Sequence, residues 1–260
     1  MSAPVTFVSG ASSGIGEAIA EALGSDGHAV GVGYHSGENR AARVVSRIEK
    51  AGGRAAPVGG NMSDEDEVAA AFDAVEEMGP LTHAVVNAGV QADAAFADMT
   101  LNEWRKVMAV DLDGAFLCAR EAVRRLLKRQ RPERGPRGCV LFVTSVHAWV
   151  PWAGHVNYAA AKGGVDMLMR SLAQEVAGEG IRVNAIAPGA IRTDINEDVW
   201  GDDEKLAELL KIIPYGRMGR SEEVAEAVRW LLSPAAEYVV GTTLTIDGGI
   251  SLYPAFIGNG

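Results

Sequence analysis

The chain has 260 residues, of which 48% are hydrophobic, and it carries a formal net charge of −10. This length suits one α/β domain spanning residues 1–260, with ample apolar material for a buried sheet. The acidic balance disfavours nonspecific binding to nucleic acid or to an acidic membrane surface. Apolar runs are far shorter than a membrane span and no signal peptide precedes the first predicted strand, so we expect a cytoplasmic protein.

The two cysteines indicate neither a disulfide nor a metal site. Cys118 falls in a helical pattern and Cys139 opens an apolar strand. Both are therefore predicted to be small core residues, and no metal is expected.

Short β-branched runs alternate with longer amphipathic segments along the chain. This pattern is typical of a doubly wound, Rossmann-type α/β fold, in which a parallel sheet carries helices on both faces. Strands are predicted over 5–9, 29–34, 54–58, 81–86, 139–144, 182–187 and 243–246. Helices are predicted over 14–24, 38–51, 64–78, 100–129, 156–178, 203–211 and 221–232.

A glycine-rich turn links the first predicted strand to the first predicted helix. Glycine lets a backbone approach a pyrophosphate closely, and the helix N-terminus offers free N–H groups and a partial positive charge. The spacing is Gly-x-x-x-Gly-x-Gly, and its position between strand and helix predicts a dinucleotide site. The candidate cofactor residues of this turn are Gly10, Ser12, Ser13, Gly14, Ile15 and Gly16.

The end of the second strand bears on which dinucleotide is bound. An acidic residue there would bind the ribose hydroxyls of NAD and repel a 2′-phosphate. The sequence has Tyr34, His35 and Ser36 instead, which permits NADP. No arginine stands at Ser13 or His35 to require the phosphate, so NAD use stays possible, and His35 is equally well an ordinary loop histidine.

A second small-residue turn, Asn87-Ala88-Gly89, follows the fourth strand. Its size would let the chain pass close to a bound nucleotide. A turn without any ligand is the alternative.

Three residues form a candidate proton-transfer set. Ser145 ends the fifth predicted strand, and Tyr158 and Lys162 are spaced by four on the following helix. That spacing puts the ammonium beside the phenol, where it favours the ionised form. A unit charge about 4 Å away is worth up to ~4 kcal/mol at an effective dielectric near 20. Ser145 would then bond the substrate oxygen that exchanges a proton with the phenol.

A basic segment spans residues 124–137. Its cations are Arg124, Arg125, Lys128, Arg129, Arg131, Arg134 and Arg137. We interpret it as an exposed loop. It is either a surface for an acidic partner such as an acyl carrier or, as we favour, a solvated helix end whose cations complement the helix dipole.

Taken together, these motifs and Pro188-Gly189 resemble the short-chain dehydrogenase/reductase family over essentially the whole chain. The resemblance implies one Rossmann-type domain with a seven-stranded parallel sheet, assembled as a homotetramer. It implies that Tyr158 is the general acid/base, that Lys162 binds the nicotinamide ribose, and that Ser145 orients the substrate oxygen. Residues framing the nicotinamide would be Pro188, Gly189, Ile191 and Thr193.

Two positions depart from the family pattern. Asp111 stands where the family usually has an asparagine that helps to hold a relay water near the lysine. Its charge would offset part of the effect of Lys162, so we expect a higher pH optimum or a lower turnover than with asparagine. Asn61-Met62 stands where an aspartate usually contacts the adenine amino group, and the amide oxygen should accept the same bond.

Within the family, the chain is most similar to bacterial glucose 1-dehydrogenases. The similarity includes Trp152 and an apolar tail, residues 252–256, for which we favour subunit packing. It implies that His147 and Asn196 contact sugar hydroxyls, although a loop histidine bonded to backbone is an equal alternative. Gln91 replaces an acid of the sugar enzymes, and Trp149 is bulky, which favours a less polar ketone.

Three functions therefore stay open for this sequence. A sugar or polyol dehydrogenase is favoured over a 3-oxoacyl carrier-protein reductase, which the basic segment supports. A catalytically weak dinucleotide sensor is a third hypothesis, motivated by Asp111 and Asn61.

Overall fold

A computed structural model describes residues 3–133 and 135–252. Seven strands form one parallel sheet in the order β3-β2-β1-β4-β5-β6-β9, and the short strands β7 and β8 pair separately. The strands are β1 (Val5–Val8), β2 (Ala29–Tyr34), β3 (Arg54–Gly59), β4 (Leu81–Val86), β5 (Gly138–Val143), β6 (Ile181–Pro188), β7 (Ile191–Arg192), β8 (Gly219–Arg220) and β9 (Thr243–Ile246). The predicted seven-stranded parallel sheet is confirmed, whereas the β7–β8 pair was not predicted.

Helices cover both faces of the sheet, as predicted. They are α1 (Gly14–Ser25), α2 (Glu38–Lys50), α3 (Glu65–Glu76), α4 (Leu101–Val107), α5 (Gly114–Lys128), α6 (Val156–Val176), α7 (Glu197–Trp200), α8 (Asp203–Leu210) and α9 (Ser221–Leu232). Sequence signals explain several starts. Asp64 caps α3 by accepting hydrogen bonds from the N–H groups of Asp66 and Glu67, both at 3.0 Å.

The helix predicted over 100–129 is helical without a break from Leu101 to Lys128, but it is not α-helical throughout. Helix α4 ends at Val107, and a π-helical segment, Met108–Asp113, joins it to α5. π-helical turns keep nearly helical dihedrals, so apolar periodicity does not reveal them, and they recur at functional sites. This one buries Asp111. Gly114 follows where a Cβ would come within 2.9 Å of the Met62 carbonyl oxygen.

Alternating side chains of the strands feed two hydrophobic clusters, one on each face of the sheet. In β5, Phe142 enters the cluster beneath α3, α5 and α6, while Leu141 enters the cluster beneath α1, α2 and α9. Phe7 meets Phe72 edge-on, with ring centroids 4.9 Å apart. Truncating a buried Phe such as Phe142 to alanine typically costs about 3–5 kcal/mol. This double burial makes the sheet a rigid platform for the loops at its edge.

Both cysteines are buried and unbridged, which confirms them as core residues. Within residues 3–133 and 135–252, no helix has the length and apolar character that a bilayer crossing requires. The predicted apolar tail lies outside the described residues beyond Leu252.

The basic segment is less exposed than predicted. Arg125 is only 8% exposed and pairs with Asp73, Glu76 and Glu121. Three further cations donate to backbone carbonyls, Arg129 to residue 137, Arg131 to residue 178 and Arg137 to residue 127 at the end of α5. Arg134 lies outside the described residues. These cations hold helix ends together, because a helix C-terminus leaves carbonyls unpaired.

Candidate active site

The candidate residues collect at one edge of the sheet, where parallel strands present their carboxyl ends. Gly10 follows β1, Asn87 follows β4, Ser145 follows β5 and Gly189 follows β6. In open α/β sheets, ligands bind in the crevice at this edge.

The glycine-rich turn is packed against the turn that follows β4. A Cβ on Gly16 would lie 2.4 Å from the Gly10 carbonyl oxygen and 2.5 Å from Asn87 Nδ2, so only glycine fits. Helix α1 starts at Gly14 without a side-chain cap from Ser13, which leaves its first N–H groups available. This cradle fits the pyrophosphate of a dinucleotide.

Asn87-Ala88-Gly89 has a structural role that the sequence did not reveal. Asn87 Nδ2 donates to the carbonyl oxygens of Ser9 and Gly10 at 3.0 and 3.1 Å. The N–H groups of Asn87 and Ala88 both donate to Ser9 Oγ. These bonds hold the glycine-rich turn in shape.

The end of β2 offers a cation that the sequence analysis missed. Tyr34 is partly buried, whereas His35 and Ser36 are exposed. A Cβ on Gly37 would lie 2.8 Å from Arg40 Nη2 and 3.0 Å from Ser12 Oγ, so the guanidinium sits beside the glycine-rich turn. Arg40 makes no ion pair within the described part of the chain. Its signal was its position in the first turn of α2, close behind β2.

Asn61 and Met62 are largely committed to the fold. Asn61 Oδ1 accepts bonds from the Ser63 N–H and hydroxyl, at 3.1 and 2.8 Å. The Met62 side chain is buried and its sulfur accepts from Cys118. The amide oxygen predicted for adenine therefore already has two donors, and Met62 offers only backbone atoms to a nucleotide.

Tyr158 and Lys162 lie on one face of α6, as their spacing predicts. Lys162 Nζ is 5.4 Å from the centre of the Tyr158 ring and 3.5 Å from the Val143 carbonyl oxygen. Ser145 is buried at the end of β5, and its Oγ accepts a bond from the His147 N–H at 3.2 Å. Phenol, ammonium and hydroxyl thus share one small region.

Asp111 faces the same ammonium from the π-helical segment. Its Oδ2 lies 3.1 Å from Lys162 Nζ, and its Oδ1 accepts from the Val90 N–H at 2.7 Å. Oδ2 of Asp111 accepts no hydrogen bond within the described residues, so its contact with Lys162 Nζ is an ion pair. Burial by itself lowers the pKa of Lys162, but the charge of Asp111, helped by Tyr158, outweighs it and raises that pKa.

Gly89 allows this ion pair to lie next to the turn after β4. A Cβ there would lie 2.8 Å from Asp111 Oδ2 and 3.3 Å from Lys162 Nζ. The glycine predicted to approach a nucleotide therefore also approaches Lys162.

The segment after β6 returns to the glycine-rich turn. Thr193 Cγ2 would lie 3.4 Å from a Cβ on Gly14, and Ile191 is buried. Asn196 Oδ1 accepts from the Thr193 N–H at 3.0 Å, and its Nδ2 donates to the Ile191 carbonyl at 2.8 Å. Asn196, predicted to contact substrate, braces this segment through both atoms of its amide. Pro188 and Gly189 lie at its start, where β6 ends.

The remaining predicted substrate residues lie in two loops. Gln91 is exposed in the loop after β4. His147 is half-buried, and its Nδ1 is 3.0 Å from the Val150 carbonyl oxygen. Burial, reinforced by the nearby His155 charge, lowers the pKa of His147 despite that hydrogen bond. His147 is therefore a neutral polar group beside the hydroxyl of Ser145.

This arrangement is suited to moving one proton at a phenol while a dinucleotide lies along the sheet edge. The phenol is positioned to donate or accept a proton, and the buried ammonium of Lys162 lies 5.4 Å from the centre of its ring. No group of three or more His, Cys, Asp or Glu side chains that could hold a metal ion occurs in the described ranges.

Comparison with known proteins places these features in context. Residues 10–251 match a family model described as enoyl-(acyl carrier protein) reductase. The chain is 42% identical over 250 residues to 3β-hydroxysteroid dehydrogenase 1 of Eggerthella lenta, covering 96% of this chain and 94% of that protein. It is 40% identical over 251 residues to glucose 1-dehydrogenase 2 of Bacillus subtilis, covering 96% and 95%.

Solved structures share this fold. A dehydrogenase/reductase from Sinorhizobium meliloti 1021 is 34% identical with a TM-score of 0.87, covering 96% of each chain. An Agrobacterium tumefaciens protein described as a 2-deoxy-D-gluconate 3-dehydrogenase, with bound NADP, is 33% identical with a TM-score of 0.84, covering 94% and 95%. The chain therefore belongs to the short-chain dehydrogenase/reductase family, whose members are oxidoreductases that use NAD or NADP.

Proposed function

We propose that this protein is an NADP-dependent oxidoreductase that interconverts a secondary alcohol and a carbonyl, with a sugar or polyol as its substrate. The observation that carries the reaction class is the ammonium of Lys162, 5.4 Å from the Tyr158 ring, at the sheet edge that holds the glycine-rich turn. The whole chain serves as one dinucleotide-binding and catalytic domain.

Each catalytic side chain has one role in this proposal. Tyr158 exchanges a proton with the substrate oxygen, and Ser145 Oγ holds that oxygen by a hydrogen bond. Lys162 binds the nicotinamide ribose and stabilises the charged phenol. Asp111 holds Lys162 in place and keeps it charged. The bound nicotinamide supplies or receives the hydride.

NADP is the proposed dinucleotide. β2 ends without an acidic residue, and the Arg40 guanidinium lies by Ser12 at the place where a 2′-phosphate would lie. An arginine offers several N–H donors to a phosphate. The related A. tumefaciens structure contains NADP, which supports the same choice.

A polar substrate is favoured by the chemistry around Ser145. His147 presents a neutral imidazole there, and the 40% identical B. subtilis relative is a glucose 1-dehydrogenase. A polyhydroxylated ligand requires several such convergent polar groups.

A bulky apolar secondary alcohol is the second candidate. Trp149 and Ile195, which follow Ser145 and Thr193, are 47% and 71% exposed. The 42% identical relative is a 3β-hydroxysteroid dehydrogenase. An oxoacyl thioester has weaker support, because several cations of the basic segment already bind backbone carbonyls and carboxylates of this chain.

We also propose a homotetramer. Large apolar side chains, Phe116 of α5, Met167 of α6 and Trp230 of α9, are exposed on the chain surface, as expected of surfaces that become buried between subunits. Light scattering should give about four times the 27.3 kDa chain mass, and a monomeric mass would contradict this proposal.

The test of function follows nicotinamide absorbance with NAD and NADP against sugars, polyols, α-hydroxy ketones, a 3-hydroxysteroid and an oxoacyl thioester. We expect turnover with NADP and a sugar or polyol. Turnover confined to the steroid would select the second candidate. Nucleotide binding without turnover of any of these compounds would contradict an enzymatic role.

A further inference from the structure

The loop after β4 is fastened to the entrance of α6. The Ala94 N–H donates to the Gly154 carbonyl at 3.0 Å, and Asn157 Nδ2 donates to the Ala92 carbonyl at 2.8 Å. His155 Nε2 adds an ion pair, 3.2 Å from Asp93 Oδ2. Tyr158 follows on the first turn of the same helix, so this fastening lies directly beside the catalytic phenol.

Both ring nitrogens of His155 face acceptors. Nδ1 is 3.0 Å from the Ala153 carbonyl oxygen, while Nε2 faces the Asp93 carboxylate. A carbonyl and a carboxylate can only accept, so a neutral imidazole would satisfy only one of them. Contacts on both ring nitrogens therefore hold the His155 imidazole in one orientation.

That ring stacks on Trp152. The two ring centroids are 3.4 Å apart and the planes differ by 4°. His147 stacks on the same indole at 4.3 Å and 21°. Two rings this near one indole cannot share a face without overlapping, so Trp152 is held between two imidazoles. Its edge meets the Tyr158 ring at 6.3 Å and 82°.

The Val150 carbonyl sets the hydrogen-bonding character of His147, while the stack on Trp152 holds the ring that faces it. Nδ1 faces the Val150 carbonyl oxygen, so Nδ1 carries the proton and Nε2 is an acceptor. Nε2 has no hydrogen-bond partner within the described ranges. An acceptor next to Ser145 is suited to a substrate group that donates, such as a hydroxyl.

We propose that His155, anchored by Asp93, is a positioning residue that acts through Trp152 to hold His147 as a hydrogen-bond acceptor for a substrate hydroxyl beside the reacting carbon. This inference rests on the proposed function and deepens it, because it selects α-hydroxy carbonyls and vicinal diols over simple ketones and alcohols. His155 touches neither substrate nor nucleotide in this account.

The kinetic test compares His155→Gln and Asp93→Asn with the unmodified protein. The substrates are an α-hydroxy ketone and the same ketone without its hydroxyl. We expect KM for the hydroxy ketone to rise about tenfold, the equivalent of one lost hydrogen bond, with kcat within about twofold. KM for the simple ketone and the Kd of NADP should not change.

Asp98→Asn is the matched control, since Asp98 lies in the same loop, is exposed, and its side chain makes no hydrogen bond or ion pair in the described part of the chain. It should leave both KM values unchanged. Thermal unfolding of every variant separates lost positioning from lost folding. An equal rise of KM for both ketones, or no rise, would overturn the proposal.

A pH profile adds a readout that a merely structural role would not move. The charge of His155 helps to lower the pKa of His147, so His155→Gln should raise that pKa. The acidic limb of kcat/KM for the hydroxy ketone should then move to higher pH. The other titratable groups that face this stack are Asp93 and Tyr158.

Nitrogen-15 NMR of the His147 ring tests the positioning without any turnover. We expect a proton on Nδ1 in the unmodified protein and a mixture of tautomers in His155→Gln. A proton on Nε2 in the unmodified protein would overturn the proposal. Failure of the proposed function would appear differently, as NADP binding without turnover while this NMR signature persists.

Discussion

The nucleotide side and the substrate side of the site are built in different ways. On the nucleotide side, the site is formed by backbone atoms and glycines. A single Cβ on Gly16 would collide with the Gly10 carbonyl oxygen. On the substrate side, side chains from two loops meet, as when Asp93 of the loop after β4 pairs with His155, which stacks on Trp152. The spacing of the glycines therefore predicts the candidate cofactor turn, whereas the candidate substrate side depends on side-chain packing, which residue spacing does not predict.

The catalytic lysine lies between these two sides and should give the largest effects. Lys162→Met leaves the Asp111 carboxylate buried without its cationic partner, which typically costs about 3–5 kcal/mol of stability. The same substitution should lower kcat by about 10² to 10⁴. Lys162→Met with Asp111→Asn should recover much of the stability but not the activity. Chemical denaturation and steady-state kinetics measure both. Recovery of activity in the double variant would show that Lys162 has only a structural role.

A methyl group added at Gly16 should weaken the binding of NAD and of NADP to a similar extent. Gly16→Ala places a Cβ 2.4 Å from a carbonyl oxygen, and the resulting strain of about 1–3 kcal/mol should weaken NAD and NADP binding by roughly tenfold or more. Gly178→Ala is the control, because that position is open. Titration calorimetry with each dinucleotide decides the matter, and unchanged affinity would mean that the turn is not the pyrophosphate cradle.

The positive charge of Arg40, near the end of β2, should strengthen the binding of NADP but not that of NAD. Arg40→Ala removes one exposed charge-assisted contact, so NADP should bind about tenfold more weakly and NAD equally well. Arg43→Ala removes the same charge from an exposed position on the same helix and should change neither affinity. If Arg40→Ala and Arg43→Ala weakened NADP binding equally, the effect of Arg40 would be a general electrostatic one and not a contact with the 2′-phosphate.

The smallest predicted change concerns the pH profile. Asp111 raises the pKa of Lys162, so Asp111→Asn should lower that pKa and move the alkaline limb of kcat to lower pH. The pH optimum should fall accordingly. An unchanged pH–rate profile would mean that the carboxylate only fills space.

Much of the fold was predictable, because the periods of strand and helix differ and both faces of the sheet are buried. The π-helical turn around Asp111 was not, since the apolar pattern continues through it. Arg40 escaped notice because the expected positions for a phosphate ligand were Ser13 and His35. Asn196 was assigned to substrate from its resemblance, yet its amide binds the backbone of its own loop. The partners of these side chains depend on contacts in the folded protein, and residue spacing does not predict those contacts.

The central claim is that Tyr158 moves the proton in an NADP-dependent alcohol–carbonyl exchange. Its most direct test measures NADPH oxidation with an α-hydroxy ketone for the unmodified protein and Tyr158→Phe, alongside the Kd of NADPH. The account predicts turnover in the former, a loss of about 10² to 10⁴ in the latter, and equal Kd values. Turnover that survives in Tyr158→Phe, or NADPH binding without turnover in the unmodified protein, would contradict it.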